Sequence, residues 1–154
     1  MNPQDIDRTV ETYADMLIRL AWQNTRSRAD AEDIVQETFL RLLKQRPFDS
    51  EEHRKAWLIR VTVNLCKDFH KSAHRRKTVP LDEARDQAPE PEPELPEEFW
   101  ALSERERSVL HLHYFEGYTI AEIASVLGKS PNTVGSWLTR AKARLKTMVW
   151  EGSV

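Results

Sequence analysis

Apolar residues recur at three- and four-residue steps along most of the chain, and no segment alternates with the two-residue period of a half-buried strand. The pattern predicts an all-α protein. Val10, Tyr13, Ala14, Leu17, Ile18 and Ala21 mark one helical face, and Ala31, Ile34, Val35, Phe39, Leu42 and Leu43 mark a second. The second helix must stop ahead of Pro47, because proline pushes its preceding residue out of helical geometry. A third helix opens at Asp49-Ser50-Glu51-Glu52 and carries Trp57, Leu58, Val61, Leu65 and Phe69 on its expected inner side.

Further along, the punctuation sharpens. Ser103 and Glu106 have capping-box spacing and open a helix through Val109, Leu110, Leu112 and Tyr114, which Gly117 ends. Thr119 and Glu122 repeat the device ahead of Ile120, Ile123, Ala124 and Leu127, with Gly128 as the stop. Ser130 and Pro131 then supply a cap and a first-turn proline for the stripe Val134, Leu138, Ala141, Leu145 and Met148. A short helix, a three-residue turn and a longer helix make a helix-turn-helix.

Between these halves, Pro80, Pro89, Pro91, Pro93 and Pro96 interrupt a stretch without apolar periodicity. Alternating proline and glutamate favour an extended, self-repelling chain, so residues 79–96 are expected to be a flexible linker. The expected domains are therefore 1–78 and 97–154. Fully extended, such a linker spans about 65 Å, enough to let the two domains sit on separated sites along one duplex.

The net charge of −2 speaks weakly against a nucleic-acid partner until it is divided by segment. Residues 54–78 hold eight Lys/Arg against one Asp/Glu, whereas residues 79–98 hold one against eight. A basic block beside an acidic one fits a surface that meets phosphate next to one that avoids it. The longest apolar run is far too short to span a membrane, and Met1 to Asp5 has neither the basic nor the apolar region of a signal peptide. A single cysteine, Cys66, cannot form an internal disulfide, so the expectation is a cytoplasmic protein.

In a DNA-reading helix-turn-helix the second helix presents its outward residues to the major groove. The candidates lie off the Val134, Leu138 and Ala141 stripe: Ser130, Asn132, Thr133, Gly135, Ser136, Thr139 and Arg140, with Lys142, Arg144 and Lys146 adding attraction for phosphate. Asn132 suits adenine, Arg140 suits guanine or phosphate, and Ser130 and Thr133 suit phosphate oxygens. Trp137 lies beside the apolar stripe and is expected to support the core or an adjoining surface.

Three segments together resemble the sigma-70 family of bacterial transcription factors, and specifically its smallest, two-domain extracytoplasmic-function (ECF) members. Asp30-Ala-Glu-Asp-Ile-Val-Gln-Glu-Thr-Phe-Leu-Arg-Leu-Leu43 is similar to that family's region 2.2. Arg54-Lys-Ala-Trp-Leu-Ile-Arg-Val-Thr-Val-Asn-Leu-Cys-Lys-Asp68, continuing to Arg75, Arg76 and Lys77, is similar to regions 2.3 and 2.4. Tyr118 to Gly128 and Ser130 to Leu145 resemble region 4.2.

The resemblance implies a region 2 domain that binds the core RNA polymerase through Asp30, Glu32, Asp33, Gln36, Glu37, Phe39 and Leu40, facing the β′ clamp helices. It implies that the segment from Pro47 to Arg54 and the following helix capture the non-template strand of the −10 element. Arg54, Trp57, Arg60, Asn64, Lys67, Lys71, Arg75, Arg76 and Lys77 are the residues for that task, and Trp57 can equally belong to the core. The helix-turn-helix is implied to read the −35 element, with the polymerase β flap as a further partner and an anti-sigma factor as a regulator. Many relatives carry Lys or Arg where this chain has Gly135, and a basic residue or His where it has Trp137. Gly135 thus removes one expected DNA contact.

Other chemistries fare worse. Cys66, His70 and His74 fall at four-residue steps, but three ligands along one straight helix spread over about 12 Å and cannot converge on a tetrahedral ion. His111 and His113 flank Leu112 without further ligands in sequence reach. No metal or cofactor is therefore expected. There is no glycine-rich phosphate loop and no nucleophile elbow, which argues against an enzyme. The alternative of a one-component helix-turn-helix regulator needs a ligand pocket or a dimer surface, but so small a first domain leaves little room for a cavity and the linker prolines argue against rigid dimer geometry.

Overall fold

The structure is a computed structural model that describes residues 2–76 and 97–152, with side chains over residues 2–69 and 97–146. The expected linker and Lys77 lie outside the described residues, as do the side chains of Lys71, Arg75, Arg76 and Met148. The chain divides into two compact units, Met1–Glu92 and Pro93–Val154, and the described residues of both are helical without a strand.

In the first unit, α1 (Pro3–Thr25) is started by Asn2, whose side chain accepts from the Asp5 N–H at 2.9 Å, with Pro3 in the first turn. It ends at Arg26, which takes a left-handed φ of 56° so that its N–H reaches the Trp22 carbonyl. Ser27 then caps α2 (Arg28–Leu42) by accepting from the Asp30 N–H. Its last turn tightens through bonds from the Leu43, Lys44 and Gln45 N–H groups to carbonyls three residues back, and the chain leaves helical geometry before Pro47. The long α3 (Glu51–Arg76) packs on both, so the three helices form a bundle. Leu17, Leu20, Leu42, Leu58 and Ile59 are its fully buried centre.

Two of the expected inner faces are rotated. In α1 the buried residues are Thr9, Met16, Leu17, Leu20, Ala21, Gln23 and Asn24, while Val10, Tyr13, Ala14 and Ile18 sit at intermediate depth. In α3 the buried set is Leu58, Ile59, Thr62, Val63 and Cys66, and Trp57, Val61, Leu65 and Phe69 flank it. Polar residues enter the core because local bonds satisfy them: Thr9 Oγ1 donates to the Asp5 carbonyl at 2.7 Å. Thr38 and Thr62 share a buried hydroxyl contact of 3.2 Å between α2 and α3. Apolarity alone therefore misplaced the seam. Leu43, assigned to the inner face of α2, is 57% exposed.

The second unit begins with a single turn, α4 (Glu97–Trp100), which carries buried Phe99 and which the apolar pattern did not announce. Its α5 (Glu104–Leu110) opens with the expected capping box of Ser103 and Glu106. The helix then widens into a π turn over His111–Phe115, with the Glu116 N–H reaching the His111 carbonyl five residues back. This widening leaves Tyr114 exposed rather than on the inner stripe. Gly117 follows with φ 75°, a left-handed value that explains the glycine. The capping box of Thr119 and Glu122 opens α6 (Ile120–Leu127), and Gly128 closes it with φ 69°. After Lys129 and Ser130, α7 (Pro131–Gly152) packs against α4, α5 and α6.

Candidate nucleic-acid and polymerase interfaces

The recognition face is built outward from α7's buried seam. Val134, Leu138 and Ala141 are sunk against the rest of the second unit, which fixes the rotation of the helix. Asn132, Ser136, Thr139 and Arg140 then stand exposed on the opposite side, with Gly135 and Thr133 between. A wide, shallow concavity runs over this face, lined by Ile120, Pro131, Asn132, Gly135, Ser136, Leu138, Thr139, Arg140 and Lys142. Ser130 starts the helix by accepting from the Thr133 N–H at 3.1 Å, and its hydroxyl lies 2.8 Å from that of Thr133.

Two expected phosphate contacts are engaged within the fold. The Arg144 guanidinium pairs with Glu106 Oε1 and also donates to the Ala101 carbonyl at 3.4 Å. That carboxylate oxygen also accepts from the Ser103 N–H, so Arg144 ties α7 to the capping box of α5. The pair holds α7 against α5, with 47% of the Arg144 side chain still exposed. The Lys142 ammonium lies 5.2 Å from the Tyr114 ring centroid, a cation-π contact at the rim of the concavity. Trp137 supports α5, with the Arg105 guanidinium over its ring at 5.4 Å.

A buried charge braces the same unit. Arg107 donates to the carbonyls of Trp100 and Leu102, the latter at 2.6 Å, and lies over the Trp100 ring. Burial pushes its guanidinium below the ordinary arginine range, and the negative charge of Glu104 opposes that shift. His111 and Glu116, both nearly buried, approach to 3.3 Å across the π turn. His113 instead faces the Tyr118 carbonyl at 2.8 Å. The two histidines thus have separate partners, and the described residues hold no cluster of three His, Cys, Asp or Glu suited to a metal ion.

In the first unit, α2 turns Ala31, Ile34, Val35, Thr38 and Leu42 inward, which leaves Glu32, Asp33, Gln36, Glu37 and Leu40 on the outside. Asp30 and Phe39 sit at its margins at intermediate depth. Glu32 pairs with Arg28 and Glu37 with Arg41 along the helix, exposed contacts that are weak and easily exchanged for an external cation. Leu40 and Leu43, both more than half exposed, put an apolar edge beside these carboxylates. Leu43 was missed as a surface residue because it matches the inward spacing.

The start of α3 is an aromatic knot around Phe48. Its ring lies 5.2 Å from that of His53, 5.5 Å from that of Trp57 and 5.7 Å from the Arg54 guanidinium carbon. Ser50 caps the helix by accepting from the His53 N–H. Glu51 accepts from Tyr13 of α1 at 2.9 Å and from Arg54 at 2.7 Å. Arg54, with only 15% of its side chain exposed, is therefore fixed in the fold and not presented as an open cation. Trp57 is half-buried against Phe48. Arg60, Asn64 and Lys67 follow at helical spacing on the exposed side of α3. The further basic residues, Lys71, Arg75, Arg76 and Lys77, have no described side chains. No sequence signal marked Phe48 as the centre of this cluster.

These two units match known proteins in the same order. Residues 9–76 match the family model for sigma-70 region 2, and residues 101–145 match that for sigma-70 region 4. The ECF RNA polymerase sigma factor SigL of Mycobacterium tuberculosis is 33% identical over 92% of this chain and 86% of its own length. The chain belongs to the ECF sigma factors of the sigma-70 family. Another similar member is SigE of Mycolicibacterium smegmatis, 29% identical over 91% of this chain and 60% of its own.

Solved structures share the fold of this ECF sigma factor. The sigma factor RpoE, in complex with the anti-sigma factor NepR from Bartonella quintana, aligns with a TM-score of 0.70 at 21% identity, covering 95% of this chain and 97% of that one. CnrH in complex with the cytosolic domain of CnrY aligns with a TM-score of 0.71 at 24% identity, covering 99% and 92%. Sigma factors are regulatory rather than catalytic proteins. Among the described residues, no helix is long and apolar enough to cross a membrane.

Proposed function

We propose that this ECF sigma factor joins core RNA polymerase through the outer face of α2 and directs it to promoters read by α3 and α7. The carboxylates Asp30, Glu32, Asp33 and Glu37, with Gln36, meet basic groups of the β′ clamp helices, while Phe39, Leu40 and Leu43 add apolar contact. The segment around Phe48 and the exposed Arg60, Asn64 and Lys67 take the non-template strand of the −10 element, where an unstacked base meets aromatic and hydrogen-bonding groups. Lys71, Arg75, Arg76 and Lys77 add positive charge for the phosphates. Asn132, Thr133, Ser136, Thr139 and Arg140 read the −35 duplex, with Lys142 and the Ser130 hydroxyl at its backbone.

The observation that carries this reading is the concave outer face of α7, where Asn132, Ser136, Thr139, Arg140 and Lys142 stand around an apolar floor, held outward by a packed seam and opened by a built N-cap. The one-component regulator is displaced, since both units match sigma regions. Residues 79–96 then join the two readers, and the β flap is a second polymerase contact. Control by an anti-sigma factor is part of the proposal, supported by the fold relatives solved with such partners.

Run-off transcription with core polymerase and the purified chain on a promoter library is the test. Initiation at sites sharing an upstream and a downstream element is expected. A chain that neither co-elutes with core polymerase nor starts transcripts at any defined site overturns the proposal.

A further inference from the structure

Arg144 of α7 is held by a carboxylate, whereas Lys142 is held by the ring of Tyr114. The difference matters for a residue meant to meet phosphate. A carboxylate offsets the charge of a cation and takes up its donors, while a ring face attracts the cation and leaves N–H groups for another acceptor. Lys142 is exposed and lines the concavity together with Asn132, Ser136, Thr139 and Arg140. The ring that holds it is brought there by the π turn over His111–Phe115, which carries Tyr114 outward to 55% exposure. Such turns inside helices are frequent at functional sites. This one is closed twice, by the Glu116 N–H on the His111 carbonyl at 3.1 Å and by the approach of His111 Nε2 to Glu116 Oε1 at 3.3 Å. His113 Nδ1 lies 2.8 Å from the Tyr118 carbonyl, which can only accept, so this nitrogen carries the proton. The His113 ring in turn meets that of Tyr114 edge to face at 4.9 Å. A line of contacts thus runs from the backbone at Tyr118 through His113 and Tyr114 to the Lys142 ammonium, 5.2 Å from the ring centroid.

We infer that Tyr114 is a positioning residue for promoter binding, holding the Lys142 ammonium at the edge of the α7 concavity where it meets a phosphate of the upstream element. The inference rests on the reading of α7 as the −35 reader and adds to it a residue that lies ahead of the helix-turn-helix. Tyr114 acts through Lys142 and not through a DNA contact of its own. A lysine side chain loses much rotamer freedom when its ammonium is fixed on a phosphate. Seating that ammonium on a braced ring beforehand removes part of this loss from the binding step.

The test measures binding of the full chain with core polymerase to a promoter duplex selected by the run-off experiment, over a range of salt concentrations. Lys142→Gln is expected to reduce the steepness of the salt dependence by about 0.9, the value of one phosphate contact. Tyr114→Leu is expected to weaken binding about two- to fivefold, the scale of one exposed cation-π contact. Tyr114→Phe keeps the ring face and is expected to bind as wild type, and Tyr114→Leu is expected to add nothing in a chain that already carries Lys142→Gln. A Tyr114→Leu chain that binds as wild type overturns the inference. So does a loss that Tyr114→Phe shares, which would put the hydroxyl and not the ring to use. A loss that persists in full beside Lys142→Gln overturns it as well, since Tyr114 would then act independently of the lysine. Asn132→Ala and Arg140→Ala separate the two levels. If they abolish upstream preference while Lys142→Gln changes neither affinity nor salt dependence, this inference alone fails. If none of the three has an effect, the α7 reading fails and takes this inference with it.

Discussion

The two units of the chain hold their helices together by different means. The first relies on length and apolar area: three helices of fifteen residues or more bury Leu17, Leu20, Leu42, Leu58 and Ile59 at a common centre. In the second, α4, α5 and α6 have four, seven and eight residues, too short to be stable from propensity alone. It compensates with polar ties: two capping boxes, Arg107 on the carbonyls of Trp100 and Leu102, and Arg144 on Glu106. The difference teaches that where helices are short, charged residues near the core do structural tasks that a surface reading would assign to ligands.

The largest effect expected from this contrast is in the first unit. Leu58→Ala removes a fully buried side chain and is expected to cost about 2–5 kcal/mol, read as a lowered denaturant midpoint of the full chain. A loss well below 1 kcal/mol would mean that apolar area is not what holds this bundle. Glu106→Ala opens a capping box and strands a partly exposed Arg144, at an expected cost of about 1–3 kcal/mol. Combined with Arg144→Ala, the losses should be less than additive, since both act through one contact. Strict additivity would show that the Arg144–Glu106 pair does not hold α7 in place.

Thr38→Val sharpens the comparison from the other side, because it removes the polar contact to Thr62 from a mostly apolar seam. A loss of about 1 kcal/mol is expected, and a gain in stability would show the first unit to be wholly apolar in its energetics. The smallest change is opposite in sign. Gly135→Ala should raise the thermal midpoint, since it restores up to about 1 kcal/mol of helix propensity in open space.

Apart from the single turn of α4, the helices, the helix-turn-helix and both capping boxes were legible in the sequence because they depend on neighbours three or four residues apart. Such local bonds leave a fixed spacing in the chain. The outward residues of α7 were legible for the same reason, as one strongly apolar stripe leaves little choice of rotation. What only tertiary structure decided is which side of α1 and α3 faces inward, where each helix carries apolar residues over more than half its girth. There the seam is chosen by packing against the other helices, and buried threonines and asparagine are admitted because local carbonyls satisfy them. The same holds for Arg144. Sequence gives its charge, but a partner 38 residues away sets where that charge is held, and spacing along the chain carries no trace of such a contact.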